Sequence, residues 1–393
     1  MKGVGDNCSA PFSFPKLVTF DFDTPVDRSG TWSTRWERHA GRDVIPLWVA
    51  DTDFRAAPAI LDALSRRIKH GVFGYSTPPP ELRTAIAERM QRFYRWHIDP
   101  AWIVFLPGVV PGLHLAARKL VPPDGHVLIP RPVYHHFKRA MELAPRASTE
   151  VPLVLERGRW VFDLDVVKEA ITSKTRAVFL CNPQNPGGTV FRREELERIA
   201  GLTRDCVIVS DEIHCDLILE KALQHVPIAS LAPEISRRTV TLMSANKTFN
   251  IPAAGCGWAI IEDPGLRNAF SSDLAAHVVG SPSVFGMAAT LAALQHGEPW
   301  LAAQLDYLRG NRDLVEKSIG LPMAHVEATY LAWVDCSSLD DATEVFLKNG
   351  VAVYPGAQFG EPGFIRLNFG TQRSRLKEAL ERIKSASTPS PRG

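Results

Sequence analysis

The chain has 393 residues, and 45% of them are hydrophobic, enough to fill a sizeable core and to exclude wholesale disorder. Its 45 Lys plus Arg against 43 Asp plus Glu leave a formal net charge of +2 without a basic stripe, which argues against a nucleic-acid partner. No apolar run approaches the ~20 residues that a membrane-spanning helix needs, and the six scattered cysteines (Cys8, Cys181, Cys206, Cys215, Cys256, Cys336) form no CxxC pair, as expected of reduced thiols in a cytoplasmic protein.

Residues 1–15 carry Pro, Ser and Gly without a charged-then-apolar signal pattern and are predicted to be a loose tail. Residues 48–69 read as a strand leading into a helix. Between 101 and 262 one alternation recurs: a short apolar run, a turn rich in Gly, Pro or Asn, then a helical pattern. The runs are Ile103-Val104-Phe105-Leu106, Val127-Leu128-Ile129, Ala177-Val178-Phe179-Leu180, Val207-Ile208-Val209, Val240-Thr241-Leu242 and Gly257-Trp258-Ala259-Ile260-Ile261. Short, continuous and rich in β-branched residues, they suit strands buried on both faces of a mainly parallel sheet. Helical patterns at 112–120 and 193–202 lie between them, so the fold class is α/β. The tail from 300 to 383 alternates helix, strand (330–334), helix (341–349), strand (364–369) and helix (373–383). This suggests a smaller α+β lobe packed with the N-terminal segment. The expected division is a flexible tail at 1–20, an N-terminal segment at 21–60, a large domain at 61–298 and a small C-terminal domain at 299–393. Residues 385–393, rich in Ser and Pro, are expected to fray.

In open α/β sheets ligands sit beyond the carboxyl ends of the strands, so the residues just after each run carry the chemistry. After the first run, Pro107-Gly108-Val109-Val110-Pro111-Gly112 opens a helix whose free N–H groups and dipole suit a phosphate, although alone it is equally an ordinary βα turn. After residue 180 comes Cys181-Asn182-Pro183-Gln184-Asn185-Pro186-Gly187-Gly188, predicted as a rigid, extended loop because residues before proline avoid the helical region. Asn185 there offers a donor to a phenolate oxygen. After residue 209, Asp211 stands at a strand end, placed to hold a cationic ring nitrogen. The adjoining His214-Cys215-Asp216 could suggest zinc, but no second ligand cluster with matching spacing accompanies them, so no metal is expected. After residue 242, Met243-Ser244-Ala245-Asn246-Lys247 places a lysine at the same edge, where partial desolvation lowers its pKa and fits Schiff-base chemistry. Each turn alone is weak. In chain order, the four supply a phosphate cradle, a hydrogen bond to a ring oxygen, an anion for a pyridinium and an amine for an aldehyde, the needs of pyridoxal 5'-phosphate.

With these segments, the chain resembles the fold type I pyridoxal-phosphate enzymes, the class I/II aminotransferase superfamily. Within it, the closest likeness is to the cystathionine β-lyase/cysteine-S-conjugate lyase branch of the MalY/PatB kind. The carrying segments include Asp27-Arg28-Ser29-Gly30-Thr31, Trp48-Val49-Ala50-Asp51-Thr52-Asp53-Phe54, His70-Gly71-Val72-Phe73-Gly74-Tyr75, Ser210-Asp211-Glu212-Ile213-His214, Lys247-Thr248-Phe249-Asn250 and Phe364-Ile365-Arg366-Leu367-Asn368-Phe369. The resemblance implies an aspartate aminotransferase-like fold with a seven-stranded type of sheet between helices. It also implies a homodimer with shared active sites. By motif, Lys247 would be the Schiff-base lysine and proton shuttle, Asp211 the partner of the pyridine nitrogen and Asn185 that of the ring oxygen, with Asn185 also near substrate. Tyr134 would stack on the ring, Val109, Val110 and Ser244 would adjoin the phosphate, and Tyr75 would reach it from the other subunit. Arg366 would clamp the substrate α-carboxylate beside Ala50, and His214 stands where aminotransferases often carry Tyr. Gly255 occupies the position where many aminotransferases have a phosphate-binding arginine, an absence shared by the lyase branch. Asn246 and Thr52 depart from the branch, which commonly has Ser and Met there.

The implied reaction is α,β-elimination on cystathionine or a related cysteine S-conjugate, giving a thiol, pyruvate and ammonia. The alternatives are an aminotransferase on the same fold, or a catalytically idle binding protein. Trp32, Trp36, Trp48 and Trp96 read as core or interface anchors. His135 and His136 read as neighbours of the stacking tyrosine, and Pro78-Pro79-Pro80 as a stiff loop behind Tyr75.

Overall fold

A computed structural model of the chain describes residues 19–387, so Cys8 and the predicted tails at 1–15 and 388–393 lie outside the described residues. The strands are β1 (Ile45–Pro46), β2 (Ile103–Leu106), β3 (His126–Arg131), β4 (Ala147–Glu156), β5 (Arg159–Phe162), β6 (Thr175–Cys181), β7 (Val207–Asp211), β8 (Thr239–Met243), β9 (Gly257–Ile260), β10 (Leu331–Asp335), β11 (Val351–Ala352), β12 (Tyr354–Pro355) and β13 (Phe364–Asn368). Eight of them form one sheet in the order β2-β9-β8-β7-β6-β3-β4-β5. The pairs from β8 through β4 are parallel, whereas β2–β9, β9–β8 and β4–β5 are antiparallel. Two reversals in succession leave β2 pointing the same way as β8. The carboxyl ends of β2, β3, β6, β7 and β8 therefore share one edge.

The six apolar runs are strands because each residue finds a core on its own side. Ala177 and Phe179 pack with Val127, Ile129, Val209 and Leu242 against the helix Val109–Leu120. Their neighbours Val178 and Leu180 pack with Leu128 and Ile208 against the helix Arg193–Leu202. Each such side chain, fully buried, is worth about 1.5–3 kcal/mol. The hairpin β4–β5 adds an eighth strand to the expected seven; its apolar stretch Val151-Pro152-Leu153-Val154-Leu155 differs from the other runs in that Val154 and Leu155 are exposed.

The strand expected near residue 48 lies earlier, at β1, and pairs in parallel with β11. Residues 48–57 that follow are irregular, which leaves their carbonyls free for side-chain donors. In the C-terminal part, β10, β13 and β12 form an antiparallel sheet. The helix Arg373–Ser387 packs beside it and includes residues 385–387, which were expected to fray. One core joins Phe22, Ile45, Leu47, Phe54 and Ile60 to Leu331, Val334, Ile365, Leu367, Leu376 and Ile383. Thus residues distant in sequence close over the carboxyl edge of the large sheet. Trp96 is a core residue and Trp36 donates to Asp53 Oδ1 at 2.9 Å, but Trp32 is almost wholly exposed and anchors nothing within this chain. Of the three prolines, Pro79 caps and Pro80 opens the helix Pro80–Tyr94, a position where a missing N–H costs nothing.

Candidate active site

At the shared edge lies a cleft of about 410 Å³. Its first side is the turn after β2. Gly108 precedes the helix Val109–Leu120 without any side-chain cap, so the N–H groups of Val109 and Val110 stay available at the cleft. The turn can lie this close to β9 because Gly257 has no side chain: a Cβ there would stand 3.0 Å from the Gly108 carbonyl carbon. Gly255 has φ +66°, so a side chain at this position would be strained.

The segment after β6 is a compact turn rather than an extended loop. Gln184 closes it on itself, accepting from Gly187 N and donating through Nε2 to Pro132 O at 2.6 Å. Asn185 accepts from Arg366 Nη1 at 3.0 Å through Oδ1, which leaves its amide nitrogen to donate into the cleft. Asp211 ends β7, buried, with Ile213 N donating to its Oδ1 at 3.1 Å. Burial pushes its carboxyl up to about 7, with the neighbouring Glu212 adding to the rise. A buried carboxylate with one backbone partner is a site for a cation.

After β8, Lys247 Nζ donates to Ala50 O at 2.6 Å. Burial lowers its pKa to about 8, the Arg366 charge contributes, and Asp51 and Asp211 oppose the shift. The turn that carries Lys247 is anchored from behind. Thr248 Oγ1 donates to Asp216 Oδ2 at 3.2 Å, and Asp216 is in turn paired with Arg89 at 2.8 Å and with Tyr94. Asp216 is therefore committed to this anchor, whereas the neighbouring His214 lines the cleft with an unpartnered Nδ1.

The opposite wall comes from the C-terminal part. Arg366 on β13 donates through Nη2 to Trp48 O at 3.1 Å, and its guanidinium lies 5.0 Å from the centre of the Tyr354 ring. Arg366 is buried with an unpartnered Nε, and among the described residues no carboxylate pairs with it. Burial lowers its pKa to about 10, which leaves it charged at neutral pH. Segment 48–54 is pinned between the two halves. Asn250, three residues after Lys247, donates to Thr52 O and Phe54 O at 3.0 and 2.8 Å. Asn368, two after Arg366, donates to Val49 O and to Asp51 O at 2.6 Å.

Of the residues singled out in the sequence, Lys247, Asp211, Asn185, Tyr134, Val109, Val110, His214, Arg366 and Ala50 all line this one cleft. Ser244 does not: its buried hydroxyl donates to Cys256 O at 2.6 Å and accepts from Asn246 N at 3.1 Å, which ties the lysine turn to the segment before β9. Tyr75 is fully exposed and lies outside the cleft of its own chain. Trp48 was read as a core or interface anchor but is a cleft wall, and His135 joins it there. Tyr354 escaped sequence reasoning, because its place follows from the register of β12 against β13, which sets it opposite Arg366.

A phosphorylated pyridine aldehyde fits this donor set. Unpaired helix N–H groups at Gly108–Val110 suit its phosphate, the orphan Asp211 carboxylate its ring nitrogen, the Asn185 amide its phenolate and the depressed amine of Lys247 its aldehyde. Arg366 remains beside that set as an unpaired cation for a carboxylate.

The sequence profile of the family described as aminotransferase class I and II matches residues 42–383. The cystathionine β-lyase PatB of Bacillus subtilis (strain 168) is 35% identical over 93% of this chain and 99% of that protein. The crystal structure of OvoB superposes with a TM-score of 0.91 at 43% identity, covering 94% of this chain and 100% of the other. A pyridoxal-phosphate-bound C–S lyase from Staphylococcus hominis superposes with a TM-score of 0.88 at 30% identity, over 95% of this chain and 99% of that one.

Proposed function

Because the chain belongs to the class I and II aminotransferase family, we propose that it is a pyridoxal-phosphate-dependent carbon–sulfur lyase acting on cysteine S-conjugates. The observation that carries this reading is the meeting of Lys247, Asp211, Asn185 and Arg366 in one cleft, in a chain whose similarity to PatB and to a C–S lyase spans nearly its whole length. The net reaction converts RS–CH2–CH(NH3+)–COO− and water into RSH, pyruvate and ammonium.

When bound, the cofactor supplies an electron sink for the pair left at Cα. Arg366 binds the substrate α-carboxylate through two guanidinium N–H groups, and with Asn185 it fixes how the Cα–H bond points. Lys247, poised near neutrality by burial, takes the Cα proton at Nζ. Ala50 O, which accepts from both Lys247 Nζ at 2.6 Å and Tyr330 OH at 3.0 Å, orients the amine when it is free. Asp211 would keep the proton on the ring nitrogen, and Val109 and Val110 would hold the phosphate through their N–H groups. Tyr134 would pack on the ring face, and His214 lines the cleft with the lysine.

The purified protein, incubated with L-cystathionine and separately with S-methyl-L-cysteine, is expected to release thiol, pyruvate and ammonia in equal amounts. A keto acid that keeps its sulfur, with conversion of the cofactor to its amine form, would instead assign an aminotransferase.

The same reading makes the chain a homodimer in which Tyr75 reaches the neighbouring cleft. Ile68, Val72, Phe73 and Tyr75 are exposed together just after the helix Pro58–His70 begins its last turn, an apolar stretch that a second copy would cover. Mixing inactive Lys247→Ala chains with Tyr75→Ala chains is expected to restore activity, since one of the two clefts in a hybrid would then be intact. Two monomeric proteins, or no recovery, would end this assignment.

A further inference from the structure

Once the cofactor groups and the carboxylate clamp are accounted for, the rest of the cleft has an unusual character. Its outer wall is Trp48, His135 and Tyr354. The Trp48 and Tyr354 rings lie 6.0 Å apart and tilted by 39°, and His135 stacks on Tyr354 at 6.1 Å and 22°. These are the spacings of packed aromatic rings, so the three present one continuous π surface. The indole N–H of Trp48 is already spent on Arg35 O at 3.1 Å, which leaves only its ring to a ligand. His135 is uncharged at neutral pH: burial lowers its pKa to about 4, helped by His136 and Arg366.

Charge is scarce at this wall. Apart from Asp211, Lys247 and Arg366, each already assigned, no Asp, Glu, Lys or Arg among the described residues lines the cleft. The nearby charges are spoken for elsewhere: Lys138 pairs with Glu150 at 2.6 Å, Arg139 with Glu142 at 3.0 Å and Arg131 with Glu361 at 3.5 Å. Arg38 stacks on Trp48 at 4.7 Å and lines a neighbouring cleft that Trp48 and Tyr354 also border, so it stands behind the wall and not among the residues lining the substrate cleft. A leaving group that carried its own ammonium and carboxylate would lose water here and meet no counter-charge.

Geometry links the wall to the sulfur. Tyr354 sits opposite Arg366 in the β12–β13 register, with the guanidinium over its ring. A substrate held at Arg366 by its carboxylate has its sulfur only three bonds from the carboxylate carbon, so whatever sulfur carries emerges along this surface. We infer that Trp48, His135 and Tyr354 select the leaving half of the substrate, favouring a thiol that bears an uncharged aromatic or heteroaromatic ring over a thiol that bears a second amino-acid group. This rests on the lyase reading above and specifies its substrate class.

The test compares kcat/KM of the holoenzyme for S-benzyl-L-cysteine, L-cystathionine and S-methyl-L-cysteine, read by pyruvate and by thiol release. Both larger substrates lose an alkyl thiol, so leaving-group chemistry does not favour either. S-benzyl-L-cysteine is expected to exceed cystathionine by about tenfold or more. In Tyr354→Leu the ratio of S-benzyl to S-methyl activity should fall about tenfold, while Tyr354→Phe should keep it within about twofold. His135→Leu against His135→Phe is the second pair, for use if Tyr354→Leu does not fold by circular dichroism. Equal or better turnover of cystathionine, or a ratio that Leu leaves unmoved at the position tested, overturns the inference while leaving the lyase reading intact. Absence of pyruvate from all three substrates overturns the lyase reading itself.

Discussion

The titration of Lys247 offers the most direct test of the site. An ordinary lysine, with its pKa of 10.5, is about 0.03% neutral at pH 7, whereas a group at about 8 is about one-tenth neutral. The gain in reactive amine is about 300-fold; lower basicity offsets part of it, leaving a net advantage of at least about tenfold over a free lysine. The cofactor-free protein, mixed with pyridoxal phosphate between pH 6 and 9.5, should form its covalent adduct with a rate that rises and then levels off near pH 8. Dividing by the rate for Nα-acetyl-lysine at each pH removes the ionisations of the aldehyde itself, and the quotient should then stay level below about pH 8 and fall above it. Borohydride reduction and peptide mapping should then place the label on residue 247 alone. A rate still climbing about tenfold per pH unit at pH 9.5, or a label on any other lysine, would refute the argument that burial beside Arg366 and the Ala50 carbonyl prepares this amine.

Further outcomes follow from three neighbouring residues. Asp211 has its folded pKa raised from 3.8 to about 7, so its contribution to stability is fully present below about pH 4 and is lost as pH rises through 7. Relative to Asp211→Asn, the cofactor-free wild type should therefore lose up to about 4 kcal/mol across that window, as thermal melts at successive pH values would register; parallel curves would contradict it. The same variant, loaded with cofactor, should lose at least about tenfold in kcat, because a neutral amide cannot hold the ring proton as a carboxylate does. Arg366→Lys should lower kcat/KM about 10- to 100-fold, mainly through KM, since an ammonium cannot donate to Asn185, to Trp48 O and to a carboxylate in the same plane. Asn368→Ala strips the Val49 and Asp51 carbonyls of their donor and should cost about 2–4 kcal/mol in urea unfolding. It should also raise KM, because the freed segment carries Trp48 O and Ala50 O; an unchanged midpoint would show that water replaces the amide.

Much of this site is legible along the chain because the parallel sheet imposes a local grammar. A buried strand must be a short apolar run, and its carboxyl end must open into a turn at the ligand edge, so Gly108, Asn185, Asp211 and Lys247 announce themselves by position. The hairpin β4–β5 escapes this grammar because it lies at the margin of the sheet, where the apolar stretch of β4 contains Pro152 and is only partly buried. Tyr75 is legible only as part of a motif: in a single chain it is an exposed tyrosine with nothing to contact. Ser244, placed near the phosphate by motif alone, has a hydroxyl that within the chain bonds Cys256 O and Asn246 N and closes the lysine turn.

The amino-acid order alone determines the alternation of strand and helix, the turn chemistry at four strand ends and which lysine stands at the ligand edge, because each depends on residues within one or two turns of each other. Tertiary structure alone decides that Arg366, Tyr354, Trp48 and Ala50 close over those turns, through the packing of segment 22–60 with residues 331–383. It also decides the state of the groups: the lowered pKa of Lys247, the raised pKa of Asp211 and the neutrality of His135 all arise from desolvation and from charges far away in sequence. Desolvation depends on everything that surrounds a side chain in space, and no stretch of sequence encodes that surrounding by itself.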